Sequence, residues 1–533
     1  MSSRDGDPTM MRSVIIDRLC WFVHAQFTPA FLTGLPERLE RYAEYPEFAV
    51  VKDNTVRAAL FYRPAGTEAQ TFFVKRYKCR DWQEKLKHVF VPSKAQAEWR
   101  ALQRFEQRGI ACPQPLAFTE KRSVGVLQDS CLVLEALQSA VPLNEFVESG
   151  VFDFRQRRAL TQALAQLVAR IHRQGIYYRD LHAGNILLRR DGAGVPELYC
   201  IDLHRACFPA RLFAWMRIKD LAQLGNSLPT TKTDELRFLR SYCREEADLT
   251  GDCFEGLQKR IVAKQLRLER RRIASRSKRC LKNSTVFEKK VARQERYHGR
   301  RDFGRARTLA ALELHRHAQC VAVKQSTKSV LTTHPGPDDA AQPLCVKRYR
   351  YLGVLYSLKN LLRKSRARKS WIAANALLVR GVATPLPLAM LEKKRGPFVV
   401  ESYIVTRWLE GARELHAYVA ESVADMQAAR KDAVIKQLAL TLRRVHAAGV
   451  YHADLKSNNI LVQEDAAGKP IFSFIDLDRV LFLPQVSFQQ RANNLAQINA
   501  SVSRRMSVKD RLKFFYFYAK GTPVYRARKQ YYR

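Results

Sequence analysis

The chain has 533 residues, 46% of them hydrophobic, and a formal net charge of +41. That length exceeds one ordinary core and that hydrophobic content excludes a disordered polyelectrolyte, so two folded domains are expected. The charge requires a polyanionic partner (nucleic acid, an anionic membrane surface or a phosphorylated glycolipid) without choosing among them. The 11 cysteines, from Cys20 to Cys345, include no CxxC pair, which fits reduced thiols rather than a disulfide framework or zinc site. Residues 13–35 form the most apolar N-terminal stretch, but Asp17, Arg18 and His24 interrupt it. Residues 1–44 therefore read as an amphipathic segment, not a membrane span or a signal peptide. The protein is accordingly expected in the cytosol, lying against the membrane.

Further along, Phe72 to Tyr77 is an apolar, aromatic run ending in basic residues, a strand pattern. Within it Phe73-Val74-Lys75-Arg76-Tyr77 recurs as Cys345-Val346-Lys347-Arg348-Tyr349, an offset of 272 that also pairs Trp99 with Trp371. Leu160, Leu164, Leu167, Val168 and Ile171 fall on one helical face, and the helix stops at Gly175. Ile435, Leu438, Leu442 and Val445 do the same before Gly449. There Gly175-Ile176-Tyr177-Tyr178-Arg179-Asp180-Leu181 matches Gly449-Val450-Tyr451-His452-Ala453-Asp454-Leu455, now at 274. Ile201-Asp202-Leu203 and Ile475-Asp476-Leu477 keep that offset. So sustained a match indicates a duplicated domain. Short strands are expected at 185–188 and 198–201, with Asp191-Gly192-Ala193-Gly194 as their turn. The stretch from Arg260 to Lys282 is strongly basic and expected to be helical. The division expected is a first domain over 45–251, a basic helical linker over 252–279, and a second domain over 280–533.

Phosphoryl transfer from a nucleotide needs a cation on the phosphates, acidic or amide groups for a metal, and a carboxylate at the acceptor hydroxyl. The first copy offers Lys75 on a strand, Asp180 in a loop after a helix, Asn185 five residues on, and Asp202 after a hairpin. The second repeats this order with Lys347, Asp454, Asn459 and Asp476, and the Asn-to-Asp spacing is 17 in both. D-x-x-x-x-N followed by Asp resembles the kinase catalytic loop and the metal position usually written DFG. The copies then diverge. Glu98 suits a helix partner for Lys75, whereas its counterpart at offset 272 is Ser370, and no Asp or Glu occurs between Asp339 and Glu392. Lys347 thus lacks a local carboxylate. Conversely, Lys456 stands two residues after Asp454, where a lysine can reach a γ-phosphate, while the first copy has His182. No glycine-rich turn precedes either lysine; between Val51 and Lys75 the only glycine is Gly66. The next helix is expected to begin near Leu221, only 19 positions after Asp202, too few for the activation segment and peptide platform of a protein kinase.

At these residues the sequence resembles the lipopolysaccharide core kinases, a group of heptose kinases (WaaP type), Kdo kinases and InaA-like proteins. Glu98-Trp99-Arg100-Ala101, Ile201-Asp202-Leu203-His204-Arg205-Ala206 and Lys219-Asp220-Leu221-Ala222 look like the heptose kinases. Arg279-Cys280-Leu281-Lys282-Asn283-Ser284-Thr285 and Ile475-Asp476-Leu477-Asp478-Arg479 look InaA-like. The resemblance implies an α+β chain of two tandem bilobal protein-kinase-like domains, using ATP and Mg2+ to phosphorylate heptose or Kdo hydroxyls on the inner face of the inner membrane. It makes Asp180, and Asp454 in the second copy, the acceptor-facing carboxylates. Asn185, Asp202, Asn459 and Asp476 become metal ligands, and Lys75, Glu98, Lys347 and Lys456 phosphate-side groups. The implied partners are the lipopolysaccharide core with its lipid A and an anionic membrane. A protein or small-metabolite kinase, or a partly non-catalytic scaffold at the membrane, is the alternative. Nucleic acid is disfavoured, because no recognisable binding module accompanies the basic run.

Overall fold

In the strand Phe72–Lys78, Phe72 and Val74 point to one face and Lys75 and Tyr77 to the other, the two-residue period of extended chain. A computed structural model, which describes residues 11–520 apart from 55, 66–69, 80–81, 151–152, 191–195, 246–253, 317–320, 326–328, 335–341, 352–363 and 424–425, shows what each face meets. The strand belongs to a seven-stranded antiparallel sheet. Its spatial order is Met11–Ile16, Leu19–His24, Pro115–Ser123, Val126–Glu135, Phe72–Lys78, Arg57–Tyr62, Phe48–Asp53. The register sets Lys75 between Ala59 and Leu132. Behind Phe72 and Val74 lies a core of Trp21, Val23, Phe27, Leu32, Leu35 and Leu39. On the opposite face packs the helix Lys94–Gln107, started by the Ser93 side chain accepting from Gln96 N and burying Trp99, Leu102 and Phe105. Gly66 and the expected turn Asp191-Gly192-Ala193-Gly194 lie outside the described residues.

The described part of the expected amphipathic segment, residues 11–44, is built into the first sheet instead. The hairpin Met11–His24 supplies two strands, and residues 27–39 seal one face of the sheet. The signal was the buried alternation of Trp21 and Val23, hidden because the hairpin turns at Asp17-Arg18, both at positive φ, without a glycine.

Below the sheet, the helix Phe154–Arg173 begins with a capping box between Asp153 and Gln156 and buries Leu160, Leu164, Leu167, Val168 and Ile171. It packs with Ala214–Gly225 and Lys232–Glu245, and with a small sheet of Val141–Pro142, Ile186–Arg190 and Pro196–Cys200. The basic linker is the helix Phe254–Ser277, but Leu257 and Ile261 are buried in this same core. It is partly structural rather than a free connector.

The chain divides into two compact units, residues 1–269 and 270–533. The second has a seven-stranded sheet ordered Phe287–Val291, Glu295–Arg300, Pro387–Arg395, Phe398–Arg407, Leu344–Arg350, Ser329–His334, Val321–Gln325. Strand for strand this is the order of the first sheet, so the duplication reaches upstream of residue 45 to the opening hairpin. The helices Arg366–Val379 and Ala428–Ala447 take the places of Lys94–Gln107 and Phe154–Arg173. Each unit is α+β and bilobal, in the manner of a protein kinase. The nine described cysteines are all free thiols.

Candidate active site

The sheet and helices of the first unit bring their polar groups together around one lysine. Lys75 is buried, and its Nζ lies 2.6 Å from Glu98 Oε1 and 3.4 Å from Asp202 Oδ1. Glu98 is wholly buried, and its second oxygen accepts from the Tyr77 hydroxyl, two residues along the same strand as Lys75. Stripped of partners, a buried carboxylate would be costly; here the lysine and the tyrosine satisfy it from one side. Sequence reasoning found three of these groups and missed Tyr77, although it repeats as Tyr349.

Asp202 follows the strand Pro196–Cys200 and sits in the left-handed region at φ 63°. Such a backbone is strained for a non-glycine residue and clusters at functional sites. Arg57 donates from Nη1 to both carboxylate oxygens, at 2.7 and 2.8 Å, and His204 Nδ1 lies 3.5 Å away. Burial pushes the Asp202 carboxyl up, but Lys75, His204 and Arg57 more than reverse this and hold it well below the usual range. Arg57 was not expected. It begins the strand Arg57–Tyr62 after a turn in which Asn54 Oδ1 accepts from Val56 N and Arg57 N. This glycine-free turn stands where protein kinases carry a glycine-rich one, and it sends a guanidinium to Asp202. Its counterpart is Ser329, so the repeat gave no signal.

Asp180 is half-buried in the loop after Phe154–Arg173, with Arg205 Nη1 at 3.3 Å from its Oδ2. Asn185 is buried and donates from Nδ2 to the Asp180 carbonyl at 3.0 Å. The loop is held from beneath by Asp220, fully buried, whose oxygens accept from Tyr178 N at 2.9 Å and Arg179 N at 3.1 Å. The Tyr178 hydroxyl donates to the Ile201 carbonyl at 2.6 Å, which ties this loop to the turn carrying Asp202. His172 lies 3.7 Å from Asp220 and shares a hydrogen bond of 2.8 Å with the Tyr242 hydroxyl, a supporting position.

In the second unit Asn459 donates to the Asp454 carbonyl at 2.8 Å, and Asp476 takes the same left-handed conformation, φ 59°. Lys456 Nζ pairs with Asp454 Oδ1 at 3.0 Å. Ser370 stands in place of Glu98 and meets the Tyr349 hydroxyl at 3.3 Å. Lys347 nonetheless has an acid partner. Its Nζ lies 2.7 Å from Asp476 Oδ1, and Asp478, where the first unit has His204, is held by Arg366 at 2.6 Å. Burial pulls the Lys347 ammonium down, but Tyr349, Asp476 and Asp478 together raise it. The acid that the sequence lacks locally is therefore supplied by Asp476 itself, the counterpart of the Asp202 that lies 3.4 Å from Lys75.

A strand lysine paired with a helix acid, above a loop holding Asp and Asn and a further Asp in a tight turn, is the layout of protein-kinase-like phosphotransferases. A family profile described as "Lipopolysaccharide kinase (Kdo/WaaP) family" matches residues 50–242 and 354–518, and the chain belongs to that family. It is 34% identical over 194 residues, 33% of this chain and 71% of the relative, to the lipopolysaccharide core heptose(I) kinase WaaP of Pseudomonas aeruginosa. To a 3-deoxy-D-manno-octulosonic acid kinase of Xanthomonas euvesicatoria it is 32% identical over 132 residues, 25% of this chain and 49% of that protein. A solved structure titled "WaaP in complex with acyl carrier protein" matches at 27% identity and a TM-score of 0.35, over 46% of this chain and 98% of that one.

Proposed function

We propose that the first unit transfers the γ-phosphoryl group of ATP to a sugar hydroxyl, heptose or Kdo, of the lipopolysaccharide core. The observation that carries this is the buried Lys75–Glu98 pair, 2.6 Å apart, with Asp202 beside it. In this reading Lys75 grips the α- and β-phosphates, Glu98 fixes the lysine, and Asp180 takes the proton of the attacking hydroxyl. Asn185 and Asp202 would hold Mg2+. The donor set fits a small hard cation, since Asp202 is held ionised and Asn185, whose Nδ2 donates to the Asp180 carbonyl, has its amide oxygen left to offer. When bound, Mg2+ supplies positive charge against the phosphate oxygens. Arg57, already clamped to Asp202, takes over the phosphate covering that glycine-rich turn amides give elsewhere.

In the second unit Lys347, Asp454, Asn459 and Asp476 hold the corresponding places, and Lys456 stands where the first unit has His182. Ser370 for Glu98 and Ser329 for Arg57 make it the weaker catalyst. A peptide acceptor is disfavoured in the first unit, where residues 206–213 alone separate the turn after Asp202 from the helix Ala214–Gly225. The charge of +41 supports an anionic glycolipid acceptor and peripheral attachment at the inner face of the inner membrane. Among the described residues no helix is long and apolar enough to cross a membrane.

The test gives the purified chain Mg2+, labelled ATP and either dephosphorylated lipopolysaccharide or the delipidated core oligosaccharide. Label on heptose or Kdo is the expected result. Label on protein alone, or none on either acceptor, overturns the reading.

A further inference from the structure

An amphipathic helix in the first unit is packed inside out. In Trp82–Phe90, positions 82, 86, 89 and 90 fall on one face of a 3.6-residue period, and all four are apolar. That face should turn inward, yet Trp82 is 67%, Leu86 50%, Val89 47% and Phe90 89% exposed. The opposite face carries His88, which is buried against the carbonyls of Val91 and Pro92 at 3.2 and 3.0 Å. The side chain of Lys85 donates to Gln128 on the strand Val126–Glu135, so the polar side is the one bound to the sheet. Lys85 and the exposed Lys87 flank the apolar stripe on its two sides.

A second, independent feature adjoins it. Ser123 pairs with Val126, leaving Val124-Gly125 as a two-residue turn with φ 48° and 76°. Both values are positive, the mark of a type I′ turn that favours Asn-Gly and penalises a β-branched residue. Val124 stands there all the same, 99% exposed. Arg122 Nη1 donates to the Gly125 carbonyl at 3.0 Å and the His88 carbonyl at 3.2 Å, which fastens this tip to the end of the helix. The sequence repeats the pattern. At the offset of 272 fixed by Lys75 and Trp99 on either side, Trp82, Leu86, Val89 and Phe90 correspond to Val354, Leu358, Leu361 and Leu362, and Lys87 to Lys359.

We propose that Trp82, Leu86, Val89, Phe90 and Val124 form a face that inserts into the interfacial region of an anionic phospholipid bilayer, with the exposed Lys87 at the headgroups. An exposed Trp and Phe beside an exposed lysine on one helix is the chemistry of an interfacial anchor, and the chain's charge complements an anionic leaflet. The helix also joins the strand carrying Lys75 to the helix carrying Glu98, so docking there places the cleft at the lipid surface. The inference rests on the reading of a lipid-linked acceptor, and names what holds the enzyme beside it.

The test measures co-sedimentation of the full chain with vesicles of phosphatidylcholine containing 30% phosphatidylglycerol, without nucleotide, at about 0.15 M salt. The triple variant Leu86→Ser/Phe90→Ser/Val124→Asn is expected to lose at least about tenfold in partitioning. Its melting temperature should hold or rise, since Asn suits the turn that Val124 strains. Trp82→Phe should keep binding while losing the blue shift of tryptophan emission that vesicles induce. Unchanged partitioning of the triple variant overturns the proposal. So does a wild type that ignores vesicles but self-associates in sedimentation velocity through these residues, which would make the face a protein contact. Transfer to delipidated core oligosaccharide needs no membrane, so its loss would strike the proposed function and leave this inference to the vesicles.

Discussion

Asp220 and Asn494 show how one atom sets a backbone. Asp220 can only accept, so the amides of Tyr178 and Arg179 turn toward it, and Arg179 adopts a positive φ of 66°. Asn494 donates, and in the second unit its Nδ2 meets the His452 carbonyl at 2.7 Å instead. His446 reads the same residue from the other side, with Nε2 at 3.1 Å from Asn494 Oδ1 and Nδ1 at 2.7 Å from the Tyr518 hydroxyl. Burial pulls the imidazole from its usual 6.5 to about 4, partly opposed by the bond to Asn494. Above pH 6.5 the ring is neutral both folded and unfolded. Between about 6.5 and 4 the unfolded chain takes up a proton that the folded one refuses, so stability falls as pH drops, by roughly 3 kcal/mol, and levels off below. Melting temperatures at pH 7 and 4.5 should diverge less in His446→Gln than in the wild type; an equal divergence would show that this ring is not the cause. At this scale the sequence disclosed the groups that repeat. Lys75, Asp180, Asn185 and Asp202 stand out because each has a twin, whereas Arg57 has none and emerges only when its strand brings it to Asp202, as Asp478 emerges only when Arg366 is brought to it.

The elements differ in how firmly their ends are built. The long helix of each unit stops at a glycine, Gly175 or Gly449, at φ 69° and 73°. A side chain added at Gly175 meets open space, while one at Gly449 runs into the Leu483 carbonyl. Gly175→Ala should therefore cost about 1 kcal/mol, the strain of a left-handed alanine, and Gly449→Ala at least about 2 kcal/mol more. Chemical denaturation of both variants checks this, and equal losses would contradict the close approach. Both helices were readable from spacing and glycine stops. The opening hairpin was not, because its register is fixed by partners nearly a hundred residues away, as in the pairing of Trp21 with Thr119. The shortness of the segment after Asp202 was readable by counting, but the next helix begins at Ala214 rather than near Leu221, after one turn and an isolated bridge from Tyr177 to Cys207.

Across the whole molecule, duplication has preserved the scaffold and redistributed the acids. Both sheets keep one strand order, Asp202 and Asp476 keep one unusual conformation, and the loops carrying Asp180 and Asp454 are closed by the same Asn-to-carbonyl bond. What changed is the helix residue beside the lysine: Glu98 pairs with Lys75 in the first unit, whereas Ser370 stands there in the second and Lys347 pairs with Asp476. Offsets of 272 and 274 made the duplication plain, and the two compact units follow it. Division of labour between them could not be read from spacing, since it depends on which side chains converge in space. The central claim, that the first unit carries the transfer, is tested most directly by comparing Asp180→Ala with Asp454→Ala in the full chain, using labelled ATP, Mg2+ and dephosphorylated lipopolysaccharide. The expected result is a loss of at least about a hundredfold in Asp180→Ala, with most of the activity kept in Asp454→Ala. Abolition of transfer by Asp454→Ala alone would contradict it.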